Sequence, residues 1–391
     1  MNRVMIAGTG MTHFGKTPGR GIRDLAEAAV AEAIGDAAMP AADVERLYFG
    51  NAVAGIITHQ EMIRGEVVFR HSALAGVPVV NVENACASGS TALQLGWEAV
   101  AAGRAEVVLA VGAEQLTHAN KARTFAALRG STDIDEIGPP DENGAASHSV
   151  LMDFYAQEAA RYLESYDATA EDFARVAVKN RMNASHNPRA QYGTPQTVEE
   201  VLASRVVAPP LTLPMCSPVT DGAAAIVLCS EEYCRRIGAP KIEIVASEIA
   251  GGKGFGSSPV GDACAAAYRT SGIGVDDLDT IELHDAAAPA ELIQYAEIGL
   301  CDEGEGHHLL RAGQTELGGR RPVNTSGGLM SRGHPLGATG CAQVVELCEQ
   351  LRGRAGARQV EDARTGMAVN AGGWLGGTYA VTVVTIIQRQ Q

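Results

Sequence analysis

Short apolar runs and helically spaced apolar positions alternate along the chain. Arg3 to Ala7 (RVMIA) has the continuous apolar pattern of a buried strand, and Ile22 to Ile34 has helical spacing with an alanine-rich face. Beyond Cys86, the segment TALQLGWEAVAAG predicts a helix closed by Gly103, and AEVVLAVG (Ala105 to Gly112) predicts a central strand. A comparable unit returns late. RGHPLGATG leads into a helix predicted over Cys341 to Arg352, and ARTGMAVNAGG follows as strand and turn. DGAAAIVLCS near residue 225 and GGTYAVTVVTII at the C-terminus are two further matching apolar runs. The recurrence predicts an α/β protein of two similar halves. The first comprises residues 1–118 plus 215–238, and the second residues 239–391. Between them, residues 119–214 are punctuated by Arg, His, Asp, Asn and Pro and hold shorter helical segments such as FYAQEAARYLESY. This stretch predicts an inserted loop subdomain, whose proline-rich tail APPLTLPMCSPVTDG returns to the first half.

Composition narrows the function classes. With 391 residues, 46% hydrophobic and 20% charged, the chain can bury two sizeable cores. Its 45 glycines and 5% aromatic content favour Ala, Val, Ile and Leu packed in α/β layers. A formal net charge of -15 argues against nucleic acid as a partner, because that binding needs a Lys/Arg footprint. An anionic substrate would need a local basic pocket, for which the insert offers Lys121, Arg123, Arg129, Lys179, Arg181 and Arg189. No apolar run approaches the roughly 20 residues of a membrane span, and no charged-then-apolar leader follows Met1. A cytoplasmic protein is expected.

Several local patterns carry no site. Gly8-Thr9-Gly10-Met11-Thr12-His13 opens like a dinucleotide-binding loop but places His13 where the third glycine belongs. The eight cysteines include no CxxC pair and read mainly as buried small apolar residues, without disulfides. Cys301 with His307 and His308 lacks a second pair of ligands at suitable spacing, so no metal is expected.

Two stretches do carry chemistry. In NVENACASGST (Asn81 to Thr91), Cys86 precedes a helix, where unpaired N–H groups and the helix dipole favour thiolate. The small neighbours Ala85, Ala87, Ser88 and Gly89 leave room for an acyl group, and the same N–H groups suit an oxyanion. Read alone, it fits a buried cysteine at a tight strand-to-helix turn slightly better than a nucleophile. In SRGHPLGATG (Ser331 to Gly340), His334 stands before a proline suited to a helix start, poised to accept a proton. A Cys and a His at matching helix starts of two similar halves point to a nucleophile and its base.

These motifs resemble those of the thiolase family, specifically the sterol-carrier-protein type. NACASGS matches the family's nucleophile motif and RGHPLGATG its GHPxGxxG motif. DGAAAIVL, ELHDAAAPAEL, IGLCDEGEG and LRGRAG extend the similarity nearly end to end. The resemblance implies a thiolase fold, a five-layer αβαβα arrangement with the loop subdomain over a coenzyme A pocket. It implies a homodimer or dimer of dimers, with no bound cofactor and coenzyme A as co-substrate. Cys86 would attack the 3-keto carbon of a 3-oxoacyl-CoA, with His334 as base. His284, in HDAA, would join His334 in holding the thioester oxygen, and the N–H groups of Cys86 and Gly372 would hold the other.

One departure stands out. The family's second, acid/base cysteine lies in a C-terminal CxGxG motif, or in HDCF in the carrier-linked type. Here those positions hold Asn370 and Ala286. Asparagine cannot deliver a proton as a thiol does. Cys341 reads as helix packing. The pattern resembles bacterial relatives that work with a small zinc-ribbon and OB-fold subunit on aromatic, branched or dicarboxylic CoA esters, benzoylsuccinyl-CoA thiolase among them. The alternatives are a retro-aldolase or a non-turnover acyl-CoA or lipid-binding scaffold.

Overall fold

The computed structural model describes residues 2–138 and 149–390. Nine strands build one mixed sheet: β1 (Val4–Met11), β2 (Arg46–Gly50), β3 (Val79–Val82), β4 (Val107–Glu114), β5 (Gly222–Ser230), β6 (Ile242–Gly251), β7 (Thr280–Glu282), β8 (Thr365–Leu375) and β9 (Thr378–Arg389). Their order is β3-β2-β4-β5-β1-β6-β9-β8-β7. The middle of this sheet is a narrow seam, where β1 meets β6 through Met5 opposite Glu243 and Ile6 opposite Ile242.

Outward from the seam the two sides read alike. On one side β1 with β5 and β5 with β4 are antiparallel, then β4 with β2 and β2 with β3 are parallel. On the other, β6 with β9 and β9 with β8 are antiparallel, and β8 with β7 is parallel. A parallel bridge from Val323 to Ile281 stands where the fifth strand would be. This is the repeat that the recurring apolar runs predict.

The helices that set the layers and the site are α1 (Ile22–Asp36), α2 (Ser88–Ala101), α3 (Val150–Ser165), α4 (Ala170–Ser185), α5 (Pro259–Ser271), α6 (Ala288–Glu297) and α7 (Leu336–Leu351). Helix α1 covers β1 and β5, and α5 covers β6 and β9. Helices α2 and α7 touch each other and both halves of the sheet. The result is five layers, αβαβα, with α2 and α7 in the central one.

That central position explains their composition. A helix sandwiched between the two sides of this sheet has no face for water, and in α7 every residue except Glu349 is buried. Polar members of the helix bond inside the fold. Gln343 donates to the carbonyls of Leu283 and Val369, and Glu346 pairs with Arg358. Helix α7 meets both α2 and β4 through glycine: a Cβ on Gly89 of α2 or on Gly112 of β4 would overlap the Gly337 carbonyl.

The structure corrects two predicted boundaries. Strand β1 runs on through Gly8 and Gly10 to Met11, where the sequence suggested a loop. Those glycines serve helix packing, since a Cβ at either would overlap the backbone of α1 at Ala33 or Ala29. Helix α7 begins at Leu336, before the predicted Cys341, because the glycines of GATG are close-approach positions within a helix.

The insert docks on the second half through helix α4. Asn180 donates to Asp285 and Glu291, Asn183 to the Asn324 carbonyl, and Asn187, just beyond the helix, to the Ser326 carbonyl. Lys179 forms a buried ion pair with Glu291. The loop carrying His284 and the approach to His334 are thereby fixed from the insert side. Ser147 and His148 of the insert lie outside the described residues.

Candidate active site

Cys86 sits in a one-turn 3-10 helix, Ala85–Ala87, between β3 and α2. The turn is locked by side chains. Ser88 Oγ accepts from the Asn84 N–H at 2.9 Å and donates to the Ala85 carbonyl at 2.7 Å. Ala85 itself is in the left-handed region at φ 47°, a conformation alanine holds only under constraint. From below, Gly372 of β8 packs so tightly that a Cβ would overlap the Asn84 carbonyl.

His334 follows Gly333, whose φ of 112° also requires glycine, and precedes α7. Its backbone N–H donates to Thr220 Oγ1 at 3.1 Å, and its Nδ1 is 2.7 Å from Thr339 Oγ1. Nε2 is left for the site. His284 ends the segment after β7, with its backbone clasped by the Gln294 amide at 3.0 and 2.9 Å. Its ring meets His334 edge to face, and Nδ1 lies 3.1 Å from Asn370 Nδ2.

Together these elements bring Cys86, His284 and His334 to one point. The sulfur and one ring nitrogen from each histidine all lie within 4.8 Å of one another. Cys86, His334 and Ala286 also line a cavity of about 780 Å³. His284, 1% exposed, and Asn370 stand immediately behind that wall. Asp285, its sequence neighbour, is structural: it accepts from the Leu329 N–H at 2.7 Å and from Asn180.

Electrostatics correct one expectation. Burial, then the Glu114 carboxylate, pushes the Cys86 thiol up to about 12, against the smaller opposing effect of its own N–H and that of Gly373. The helix start does not win. Burial lowers His284 to about 3, and burial with His284 and Arg332 nearby holds His334 well below the usual imidazole value. The resting site is therefore a thiol beside two neutral imidazoles. The Gly373 N–H faces the Cys86 sulfur, next to the Gly372 whose N–H the resemblance implies for the oxyanion.

The cationic candidates divide. Lys121 and Arg181 line the cavity, the latter with its guanidinium 4.5 Å from the Tyr192 ring centre. Lys179 is consumed by Glu291 and Arg189 by Glu32, while Arg123 lies against His59 and Arg129 against the Gly138 carbonyl. Lys16 and Arg205 also line the cavity. Sequence reading missed both, because they come from distant segments with no common motif.

Glu114 was missed as well, although an acid ending the apolar run AEVVLAVGAE was a signal. It accepts N–H bonds from Asn51, Ala52, Val53 and Gly337, tying the first half to the start of α7.

Residues 4–203 match the thiolase N-terminal domain, and residues 247–388 match the thiolase C-terminal domain-like family. The chain is 38% identical over 397 residues to the acetyl-CoA acetyltransferase of Methanothermobacter thermautotrophicus, covering 98% of this chain and 99% of that protein. It is 36% identical over 400 residues to human sterol carrier protein 2, covering 98% and 72%. It is 37% identical over 374 residues to benzoylsuccinyl-CoA thiolase subunit BbsB of Thauera aromatica, covering 92% and 91%. Among solved structures, the Ltp2-ChsH2(DUF35) aldolase aligns with a TM-score of 0.79 and 28% identity over 99% of this chain and 98% of that one. Human mitochondrial 3-ketoacyl-CoA thiolase in complex with CoA shares the fold at a TM-score of 0.74 and 18% identity, over 100% and 98%. The chain belongs to the thiolase family, as its motifs implied, and has that family's fold.

Proposed function

We propose that this thiolase is a CoA-dependent acyltransferase that cleaves a 3-oxoacyl-CoA through an acyl-Cys86 intermediate. The observation that carries the reading is the convergence of the Cys86 sulfur with His284 and His334 within 4.8 Å, with Cys86 and His334 opening onto the cavity. Since thiol and imidazoles are neutral at rest, proton removal accompanies attack. Cys86 Sγ adds to the C3 carbonyl as its proton passes to His334 Nε2, and the N–H groups of Cys86 and Gly373 receive the new oxyanion. The C2–C3 bond then breaks, its electron pair moving to a thioester enolate whose oxygen faces His284 and His334. The imidazolium of His334 returns the proton to C2. Free CoA next attacks the acyl-cysteine, its thiol proton passing through His334 to the departing Cys86 sulfur.

Four cations on the cavity wall, Lys16, Lys121, Arg181 and Arg205, suit the phosphates of CoA in an otherwise acidic protein. Leu116, Phe125, Leu128, Met152 and Tyr155 suit a bulky apolar acyl group, with aromatic, branched and dicarboxylic esters as the first candidates. The test is CoA-dependent cleavage of a panel of 3-oxoacyl-CoA esters. Release of a shortened acyl-CoA supports the reading, and no cleavage of any ester counts against it. Retro-aldol cleavage is the second reading, favoured by the aldolase neighbour and by Asn370 and Ala286 at the second-cysteine positions. It would release a ketone or aldehyde without consuming CoA.

A small zinc-ribbon and OB-fold partner belongs to the same proposal. Its support is one relative named as a subunit and one solved neighbour named with a DUF35 chain. Co-purification of such a chain from the native cells tests it. Sedimentation of the purified protein tests the homodimer or dimer of dimers. Among the described residues no helix is long and apolar enough to cross a membrane.

A further inference from the structure

The geometry points to Asn370 as a positioning residue that fixes which nitrogen of His284 carries the proton. It does so by hydrogen-bond arithmetic. Thr91 Oγ1 accepts from Asn84 Nδ2 at 3.1 Å and donates to the Ala87 carbonyl at 2.8 Å. Ser90 Oγ lies 2.9 Å from that same carbonyl and 2.8 Å from Asn370 Oδ1. With the Ala87 carbonyl served by Thr91, the one Ser90 hydroxyl proton is available to Asn370 Oδ1. The amide oxygen is then engaged, and its NH₂ end faces His284 Nδ1 at 3.1 Å.

An amide NH₂ only donates, so Nδ1 must accept, and a neutral imidazole that accepts at Nδ1 holds its proton on Nε2. Both groups are closely packed. Asn370 is 1% exposed, and a Cβ on Gly340 would lie 2.7 Å from Asn370 Oδ1. His284 is clasped at its backbone by Gln294 and flanked by the rings of Tyr379 and His334. The Nε2–H is thereby aimed at the space it shares with the Cys86 sulfur and His334. Negative charge forms there in acyl transfer, whether on sulfur or on the substrate oxygen. A donor stabilises that charge, and a bare nitrogen lone pair repels it.

Resting on the acyl-transfer reading, this gives Asn370 a task unlike that of an acid/base thiol: it keeps His284 a donor. Asn370→Asp is the informative change because it is nearly isosteric. A carboxylate accepts only, so it would accept from the Ser90 hydroxyl and from a proton on His284 Nδ1, and the ring would present a bare Nε2. Nitrogen-15 imidazole spectra of the wild type should show the His284 proton on Nε2, and those of the Asp variant should show it on Nδ1. Cleavage of a 3-oxoacyl-CoA that the wild type accepts should fall on the order of 10² to 10³-fold, the loss seen when one oxyanion donor is removed. The circular dichroism spectrum should not change. Asn370→Ala, which leaves Nδ1 unassigned, should show both tautomers and an intermediate loss. A wild-type His284 protonated at Nδ1, or an Asp variant with full turnover, overturns the inference. If no 3-oxoacyl-CoA is cleaved by the wild type, the function reading fails, while the wild-type spectrum still decides the tautomer.

Discussion

The imidazole rings of His284 and His334 meet edge to face, with centroids 5.3 Å apart and planes at 82°. They arrive from different segments, one after β7 and one before α7, and each has its Nδ1 engaged from behind by Asn370 or Thr339. Both Nε2 atoms are left for the site. Burial keeps both rings neutral, so the pair is a donor and acceptor set, not a cationic one.

Alkylation of Cys86 should follow from this neutrality. With the thiol pushed up to about 12, its reaction with iodoacetamide should rise about tenfold per pH unit between pH 7 and 9, without a plateau. A plateau beginning near pH 6 would reveal a thiolate–imidazolium pair and contradict the electrostatic account. Glu114→Gln removes the nearby carboxylate that helps raise the thiol, so alkylation at pH 8 should quicken. The same variant sets an NH₂ against backbone donors, and should lose about 1–3 kcal/mol of stability in denaturant titration.

Arg332 forms a buried ion pair with Glu282 at 3.2 Å. Burial raises Glu282 to about 7 even with the arginine present. A carboxylate raised in the fold is penalised as pH climbs past its unfolded value, and removing the cation raises it further. Arg332→Met should therefore cost about 3–5 kcal/mol at pH 8 and less at pH 5, where Glu282 is protonated with or without its partner. Denaturant melts at the two pH values check the sign. An equal loss at both would assign the effect to packing alone.

Gly112 and Gly337 make the central crossing that brings the two halves into register. Gly112→Ala would drive a methyl into the Gly337 carbonyl, and backbone has little room to yield. The expected loss is about 1–3 kcal/mol or more, with a further loss of turnover because His334 stands just before α7. Gly35→Ala, where nothing lies near the new methyl, is the control and should be close to neutral in stability.

Much of this site was legible because its parts sit at helix starts with recurring surroundings. Cys86 and His334 announce themselves by small residues and glycines, whose reason is visible in the turn at Ala85 and the φ of Gly333. The departure at Asn370 was legible as a missing thiol, but its hydrogen-bond partners Ser90 and His284 lie far away in sequence. The direction of the Cys86 shift was not legible. A helix-start argument counts local dipoles, whereas burial by α7, β8 and the insert depends on the assembled fold. For the same reason the cavity cations Lys16 and Arg205 were missed and Lys179 looked available. Charge is visible along a chain, and pairing is not. The glycines of β1 and of α7 were read as loops because close packing and turns both call for glycine.

Whether Cys86 carries the acyl group can be read by intact-mass spectrometry after brief incubation with a cleavable 3-oxoacyl-CoA in the absence of free CoA. The expected result is a mass increase equal to the acyl fragment, mapped to the peptide containing Cys86, removed by added CoA and absent from a folded Cys86→Ala variant. An adduct that persists in that variant, or cleavage that proceeds while Cys86 stays unmodified under every acceptor condition, would contradict it.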